Sequence, residues 1–335
     1  MIKEALSKAI AGTDLTEEEC RAAMTEIMEG KATDAQIGGF LVALRVKGET
    51  VDEIVAGARV MREKVSRVDV GDVPVLIDTC GTGGDGSGTY NVSTIAAVIA
   101  AAGGAAVAKH GNRSVSSSSG SADVLKTLGV NIEKQPDEAA ASIRSVNFGF
   151  LFAPLYHGAM KYAIGPRREM GVRTMFNVLG PLTNPAGVTR QVMGVYSADL
   201  VEPIANVLLR LGAEKALVVH SDDGLDEISP AAPTKTAEAS GGGVKTSMVS
   251  PSGFDLEAGS LDDMKVASAE ESADMIRKVL AGEQGTARTA ALLNAGAALY
   301  VAGVADTLAA GVTKAAELID SGAAAKQLGA IIAAG

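Results

Sequence analysis

The chain has 335 residues, 47% of them hydrophobic and 21% charged, enough to bury the core of one large domain or two moderate ones. Its formal net charge is −10 and aromatic residues make up only 3%, which argues against non-specific binding to nucleic acid or anionic membranes. Cys20 and Cys80 form no C-x-x-C pair and His110, His157 and His220 lack zinc-ligand spacing, so a reducing cytoplasm with free thiols is the expected setting.

The first thirty residues are charged throughout and hold no signal-peptide core. The alanine-rich run at 289–305 falls short of a membrane span. Residues 1–70 read as a small helical domain. Capping boxes start at Thr16 (with Glu19), Thr33 (with Gln36) and Thr50 (with Glu53). Each precedes a period-3.6 pattern such as Ile37, Phe40, Leu41 and Leu44, and Gly30 and Gly48 stand where helices would end.

From Val73 the pattern changes, and 71–335 read as a larger α/β domain. Strand-like runs at 75–80, 105–108, 148–152, 191–196 and 215–220 alternate with helical runs at 94–102, 121–128, 137–145 and 199–211. That alternation predicts a mostly parallel central sheet flanked by helices. Helical patterning returns at 155–185, punctuated by Pro166, Pro181 and Pro185, and is expected to complete the small domain from within about 165–190. Residues 240–243 predict a surface turn, and 270–335 predict alanine-rich helices covering the sheet.

Chemistry concentrates at the predicted strand ends. The first strand breaks into Gly81, Gly83, Gly84, Gly86 and Gly88, then a helix opens near Asn91, Ser93 and Thr94. Exposed amides followed by a helix N-terminus make a seat for phosphate. G-x-G-x-x-G is satisfied, but 100–108 lack the acid of a dinucleotide site, and that strand ends in Lys109-His110. Lys109-His-Gly-Asn-Arg113 and the serines up to Ser121 are either a loop capped by Ser121 or one that closes over phosphate. Ser221-Asp-Asp-Gly-Leu-Asp226-Glu227 supplies hard oxygen ligands suited to Mg²⁺, or else a solvated acidic turn. The arginines of 167–173 could fork onto a carboxylate or face solvent.

Together D-T-C-G-T-G-G-D-G, N-V-S-T, K-H-G-N-R, G-S-A-D-V-L, R-T-x-F-N-x-L-G-P-L-x-N-P and D-G-L-D-E resemble the anthranilate phosphoribosyltransferase family, in its order and spacing. The resemblance covers nearly the whole chain. It implies a homodimer that moves the phosphoribosyl group of phosphoribosyl diphosphate onto the amine of anthranilate, in tryptophan biosynthesis. By the family's pattern Gly81, Gly84, Asp85, Thr89, Asn91, Val92, Ser93, Thr94, Lys109, His110, Gly111, Asn112, Arg113, Ser114, Val115, Ser116, Ser117 and Ser121 hold phosphoribosyl diphosphate. Gly81, Asn112 and Arg167 meet anthranilate; Ser93, Asp226 and Glu227 bind two Mg²⁺ ions; Lys109, Arg167, Asp226 and Glu227 act in catalysis. Gly158 and Tyr162 depart from the family's His-Pro-Ala-Met-Lys-His, and Pro166 replaces a small aliphatic residue. The alternatives are a pyrimidine nucleoside phosphorylase, whose first-loop lysine is missing here, a non-catalytic nucleic-acid-binding relative, and an NAD-binding enzyme.

Overall fold

The computed structural model describes residues 1–113 and 120–335. Helices α1 (Ile2–Ile10), α2 (Glu17–Met28), α3 (Asp34–Lys47) and α4 (Val51–Lys64) open the chain. The capping boxes form where the spacing places them. The Thr16, Thr33 and Thr50 hydroxyls accept from the N–H groups three residues on, and the Glu19, Gln36 and Glu53 side chains return to the cap N–H at 2.8–2.9 Å. Helix α1 carries no such box, and the sequence pattern does not single it out.

Glu53 does more than cap α4. Its fully buried carboxylate also accepts from Leu15 N–H (2.9 Å) and from Lys47 Nζ (3.1 Å), tying three segments of the bundle together.

The α/β part continues with β1 (Leu76–Gly81), α5 (Val92–Ala102), β2 (Ala106–Gly111), α6 (Ser121–Leu128), α7 (Pro136–Val146) and β3 (Phe148–Phe152). Short α8 (Ala153–Tyr156), α9 (Lys161–Met170) and α10 (Phe176–Leu179) lead to β4 (Arg190–Gly194), α11 (Val201–Arg210) and β5 (Lys215–Ser221). Strands β6 (Thr234–Ser240) and β7 (Gly243–Val249) precede α12 (Ala269–Leu280), α13 (Thr286–Ala302), α14 (Leu308–Asp320) and α15 (Ala323–Ala333).

The sheet order is β3-β2-β1-β4-β5-β6-β7, parallel through β5 and antiparallel for the last two strands. The β6–β7 hairpin is the main addition to the sequence reading, which placed only its turn. Its outer strand is polar and mostly exposed, so it lacks the apolar run that marks a buried parallel strand.

One face of the sheet is covered by α5, α13 and the C-terminal helices, in a core that includes Ile77, Val107, Phe150 and Leu299. The other face receives the N-terminal bundle. Ala163, Met175, Phe176 and Leu179 share its core, together with Met193 and Val218 from the sheet. Helix α9 packs on α2 and α3, and α10 packs on α4. Among the described residues no helix is long and apolar enough to cross a membrane.

Without Glu53 the buried Leu15 N–H loses its acceptor, whereas Lys47 keeps Asp14 and the Gly48 carbonyl, both at 2.7 Å. Glu53→Ala should therefore lower the urea unfolding free energy by about 1–3 kcal/mol. Glu63→Ala, which loses only an exposed pair with Arg21, should shift it by less than about 1 kcal/mol in the same measurement.

Candidate active site

Strand order reverses beside β1: the chain runs outward to β2 and β3, then returns to place β4 on the opposite flank. Such a reversal opens a crevice at the carboxyl ends of the two strands, where α/β sheets bind ligands. The glycine loop leaves β1 at this point. Thr82 N–H pairs with the Gly194 carbonyl (2.9 Å), which ties the start of the loop to the end of β4.

The acidic turn after β5 enters the same crevice. A tight turn at 221–225 closes through Ser221 N–H on Leu225 O (3.0 Å), and Asp223 is used up by Ser229 Oγ (2.6 Å). Asp222 and Asp223 stay exposed, while Asp226 and Glu227 turn inward. Two glycines make room for them. At Gly194 a Cβ would stand 1.4 Å from the Asp226 carbonyl oxygen, and at Gly81 one would stand 2.5 Å from Asp226 Oδ2. Any side chain at either position would push the acid out. Asp226 Oδ2 accepts from Gly83 N–H at 2.8 Å, so the acidic turn and the glycine loop touch directly.

These carboxylates are held at an electrostatic cost. Burial pushes Asp226 up to about 7, with Asp85 adding to the rise, while Gly83 N–H and Arg173 offset part of it. Burial, then Asp226, pushes Glu227 well above the usual carboxylate range, even though it accepts from Ser93 N–H and faces Lys109. Lys109 is buried, and its Nζ donates to the Thr79 carbonyl (2.6 Å) and to Ser93 Oγ (3.1 Å). Burial lowers its pKa, and Asp78 opposes that shift.

Among the described residues no group of three His, Cys, Asp or Glu side chains comes together around one point. Two adjacent acids beside a hydroxyl are nonetheless a donor set that suits Mg²⁺, which keeps several waters and takes its other ligands from substrate phosphates. Their raised pKa values are what a carboxylate pair short of positive charge should show.

The other sequence-designated residues divide by position. Gly84 and Asp85 lie in the loop; Asp85 Oδ1 accepts from Ser87 N–H (3.2 Å), and the Thr89 hydroxyl meets Ser87 Oγ (3.1 Å). Asn91 precedes α5 but does not cap its backbone; its Oδ1 takes the hydroxyls of Thr94 and, at 3.5 Å, Ser93. Val92 and Thr94, in the first turn of α5, are fully buried, and Val92 belongs to the core on that face of the sheet.

His110 lies apart from Lys109, its neighbour on the opposite pleat of β2. It is buried with its Nε2 3.1 Å from His157 Nε2, and burial lowers the two rings to about 3 and about 4. Gly111 lets Ser121 approach closely, since a Cβ there would lie 2.2 Å from Ser121 Oγ. Ser121 does not cap α6, as one sequence alternative held; Gly120 occupies that position, its N–H held by Asp123 (3.1 Å). Asn112 and Arg113 are exposed, with Arg113 5.7 Å from the Phe152 ring centre. Ser114, Val115, Ser116 and Ser117 lie outside the described residues.

Arg167, on α9, is partly buried with its guanidinium 5.1 Å from the Phe176 ring centre. Among the described residues no hydrogen bond or ion pair is formed by that guanidinium, and burial lowers its pKa.

Residues 73–325 match the family model described as "Glycosyl transferase family, a/b domain", and residues 3–65 match "Glycosyl transferase family, helical bundle domain". An anthranilate phosphoribosyltransferase of Thioalkalivibrio sulfidiphilus is 56% identical over 327 residues, covering 98% of this chain and 96% of that protein. Another, from Alkalilimnicola ehrlichii, is 57% identical over 321 residues, covering 96% and 95%. The chain belongs to the anthranilate phosphoribosyltransferase family.

Solved structures of anthranilate phosphoribosyltransferases share its fold. The Thermus thermophilus enzyme superposes with a TM-score of 0.92 at 44% identity, over 98% of both chains. The Saccharomyces cerevisiae enzyme "in complex with PRPP and Mg" superposes with a TM-score of 0.90 at 28% identity, over 99% of this chain and 97% of that one.

Against this anthranilate phosphoribosyltransferase background the sequence departures have simple placements. The Tyr162 ring packs over Gly30 at the end of α2, where a Cβ would come within 2.6 Å of it; Pro166 is buried inside α9; Gly158 has open space around it. Sequence reasoning gave no individual role to Arg173, whose Nη2 donates to the Gly84 carbonyl and whose Cζ lies 4.4 Å from the Tyr196 ring centre. It also gave none to Asp78 and Asn184, although both lie inside the quoted motifs.

For Asp226 the folded pKa lies above the unfolded value of about 3.9, so the folded state holds the extra proton between those limits. Its contribution to stability is therefore greatest at low pH and is lost as pH rises towards about 7. In metal-free buffer at pH 8, Asp226→Asn should be on the order of 1–3 kcal/mol more stable than the parent chain, with the gap closing by pH 4. Urea titrations across that range check this; a variant less stable at pH 8 contradicts it.

Proposed function

We propose that the chain transfers the 5-phosphoribosyl group of phosphoribosyl diphosphate to the amine of anthranilate and releases pyrophosphate. The observation that carries this reading is the contact of Asp226 with Gly83 N–H, which joins an acidic pair to a phosphate-type glycine loop across the crevice. Intact Asp226 and Glu227 also speak against the nucleic-acid-binding alternative, and the missing loop lysine against a nucleoside phosphorylase.

In the reaction the ribose C1–O bond to pyrophosphate breaks, a C1–N bond forms, and one amine proton is lost. Positive charge builds on the sugar ring, as in glycosyl transfer generally, and negative charge grows on the leaving group. Glycine-loop amides and the N-terminus of α5 face that negative charge as fixed dipoles. Ser93, Asp226 and Glu227 would hold Mg²⁺, and we assign two ions per chain to them. When bound, magnesium supplies neutralising charge to the pyrophosphate.

Lys109 acts from beneath the site: its hydrogen bond orients the Ser93 hydroxyl, and its charge steadies Glu227. Arg167 is partly desolvated and forms no ion pair among the described residues, which suits it to fork onto the carboxylate of anthranilate. We assign Asn112, exposed beyond β2, to the acceptor as well. The anthranilate amine is neutral near pH 7, so orienting it matters more than removing its proton before attack.

We also assign a homodimer and a cytoplasmic setting. Exposed Ile10, Val42, Val46 and Ile164 lie on α1, α3 and α9, helices that pack on one another, and Val46 is 83% exposed. Exposed apolar side chains on neighbouring helices suit a protein contact. Val46→Asp should convert a dimeric mass to a monomeric one in light scattering, with little change in helix content.

The function is tested by following loss of anthranilate fluorescence. It should require both phosphoribosyl diphosphate and Mg²⁺, and thymidine phosphorolysis should be absent. Arg167→Ala should raise the KM for anthranilate on the order of tenfold or more while leaving that for phosphoribosyl diphosphate nearly unchanged. Equal rises in both would defeat the assignment of Arg167.

A further inference from the structure

The ladder between β1 and β2 pairs Leu76 with Ala106 and Ile77 with Val107, and then stops. Neither strand ends there. On its other flank β1 remains paired with β4 as far as Gly81, and β2 remains paired with β3 as far as Gly111. Beyond Ile77 the two central strands therefore share no further ladder pairs, while each keeps its outer neighbour.

Side chains take over the main-chain groups left at the parting. His110 N–H donates to Asp78 Oδ1 (3.1 Å), Asn184 Nδ2 donates to the Ala108 carbonyl (2.7 Å), and Lys109 Nζ donates to the Thr79 carbonyl (2.6 Å). Asn184 Nδ2 also donates to Asp78 Oδ2 (2.8 Å), and Asn184 Oδ1 accepts from Ala186 N–H (2.9 Å), which fixes the orientation of the amide. Asp78, Lys109 and Asn184 are all buried.

We propose that Asp78 and Asn184 are positioning residues: a polar wedge that holds the carboxyl ends of β1 and β2 apart and sets the spacing between the glycine loop and the Lys109–Arg113 loop. The consequence for substrate rests on the assignment of both loops to phosphoribosyl diphosphate.

The chemistry of the pair fits this task. A continued ladder would fix the strands at about 4.8 Å through main-chain bonds alone and leave no place for side chains between them. An apolar wedge would leave His110 N–H and the Ala108 carbonyl buried without partners, an expensive outcome. Asp78 must accept on both oxygens, from His110 and from Asn184, which an amide at that position cannot do. Burial pushes the Asp78 carboxyl up to about 6 despite the opposing charge of Lys109, so a neutral side chain would be cheaper to bury. The geometry explains why a carboxylate is there at all.

Two variants test the wedge. Asn184→Ala removes the bridging amide; Asp78→Asn keeps the volume but sets an NH₂ against the Asn184 NH₂. In each, backbone amide exchange in 106–113 should accelerate while 190–194 stays protected, and the KM for phosphoribosyl diphosphate should rise about tenfold or more. The KM for anthranilate should rise less, because Arg167 stands on a separate segment while only Gly81 and Asn112 move with the loops. Should Asn184→Ala fail to fold, the isosteric Asp78→Asn decides. Unchanged exchange in 106–113, an unchanged KM for phosphoribosyl diphosphate, or equal rises in both KM values would each overturn the proposal. Absence of turnover in the parent chain would instead sink the functional reading, leaving the exchange arm to judge the wedge by itself.

Discussion

The structure depends on a carboxylate that would be unstable almost anywhere else. Asp226 is buried at the reversal of the sheet, next to Glu227 and near Asp85, with one backbone N–H as its closest donor. Burying an unpaired charge is among the costliest things a fold can do. The surroundings reduce that cost without removing it: Gly81 and Gly194 clear the space, Gly83 N–H binds one oxygen, and Arg173 and Lys109 lend positive field to the pair. What remains is a site short of positive charge, facing a loop rich in amide donors. A metal-bridged diphosphate meets both needs at once.

Around this pair the helical bundle and the sheet contribute different things. The sheet fixes the strand ends that carry the glycine loop, the Lys109 loop and the acidic turn, and a ladder is rigid enough to hold them in register. The bundle contributes α9 and the segment after it, bringing Arg167 over Phe176 and Arg173 onto the Gly84 carbonyl. The cleft therefore has a rigid anion-facing wall from the sheet and a cationic wall built on packed helices. An acidic chain can bind a polyanion this way, because the charge that matters is local.

Buried polar groups recur wherever two segments must keep a fixed separation. Glu53 joins the α4 cap to Leu15 and Lys47 in the bundle; Asp78 and Asn184 join β1 to β2 in the sheet. In each case the group replaces main-chain partners that regular secondary structure would have supplied. Such networks specify one arrangement because a half-satisfied version is costly.

Much of this was legible from the residues alone. Capping boxes at Thr16, Thr33 and Thr50, the alternation of strand and helix from Val73, and the glycine and acidic motifs are local signals, set by neighbours a few positions apart, and they announce themselves in any fold. The resemblance of six motifs in order named the family. The β6–β7 hairpin stayed hidden because its outer strand is polar, and α1 because it lacks a capping box. The tertiary structure alone could decide which acids of the turn face inward, that His110 lies on the opposite pleat from Lys109 and meets His157, that Arg173 reaches the glycine loop, and that Asn184 crosses 106 positions to meet Asp78. Those outcomes depend on strand order and on which backbone groups a neighbouring strand leaves unpaired, and no short window of sequence carries that information.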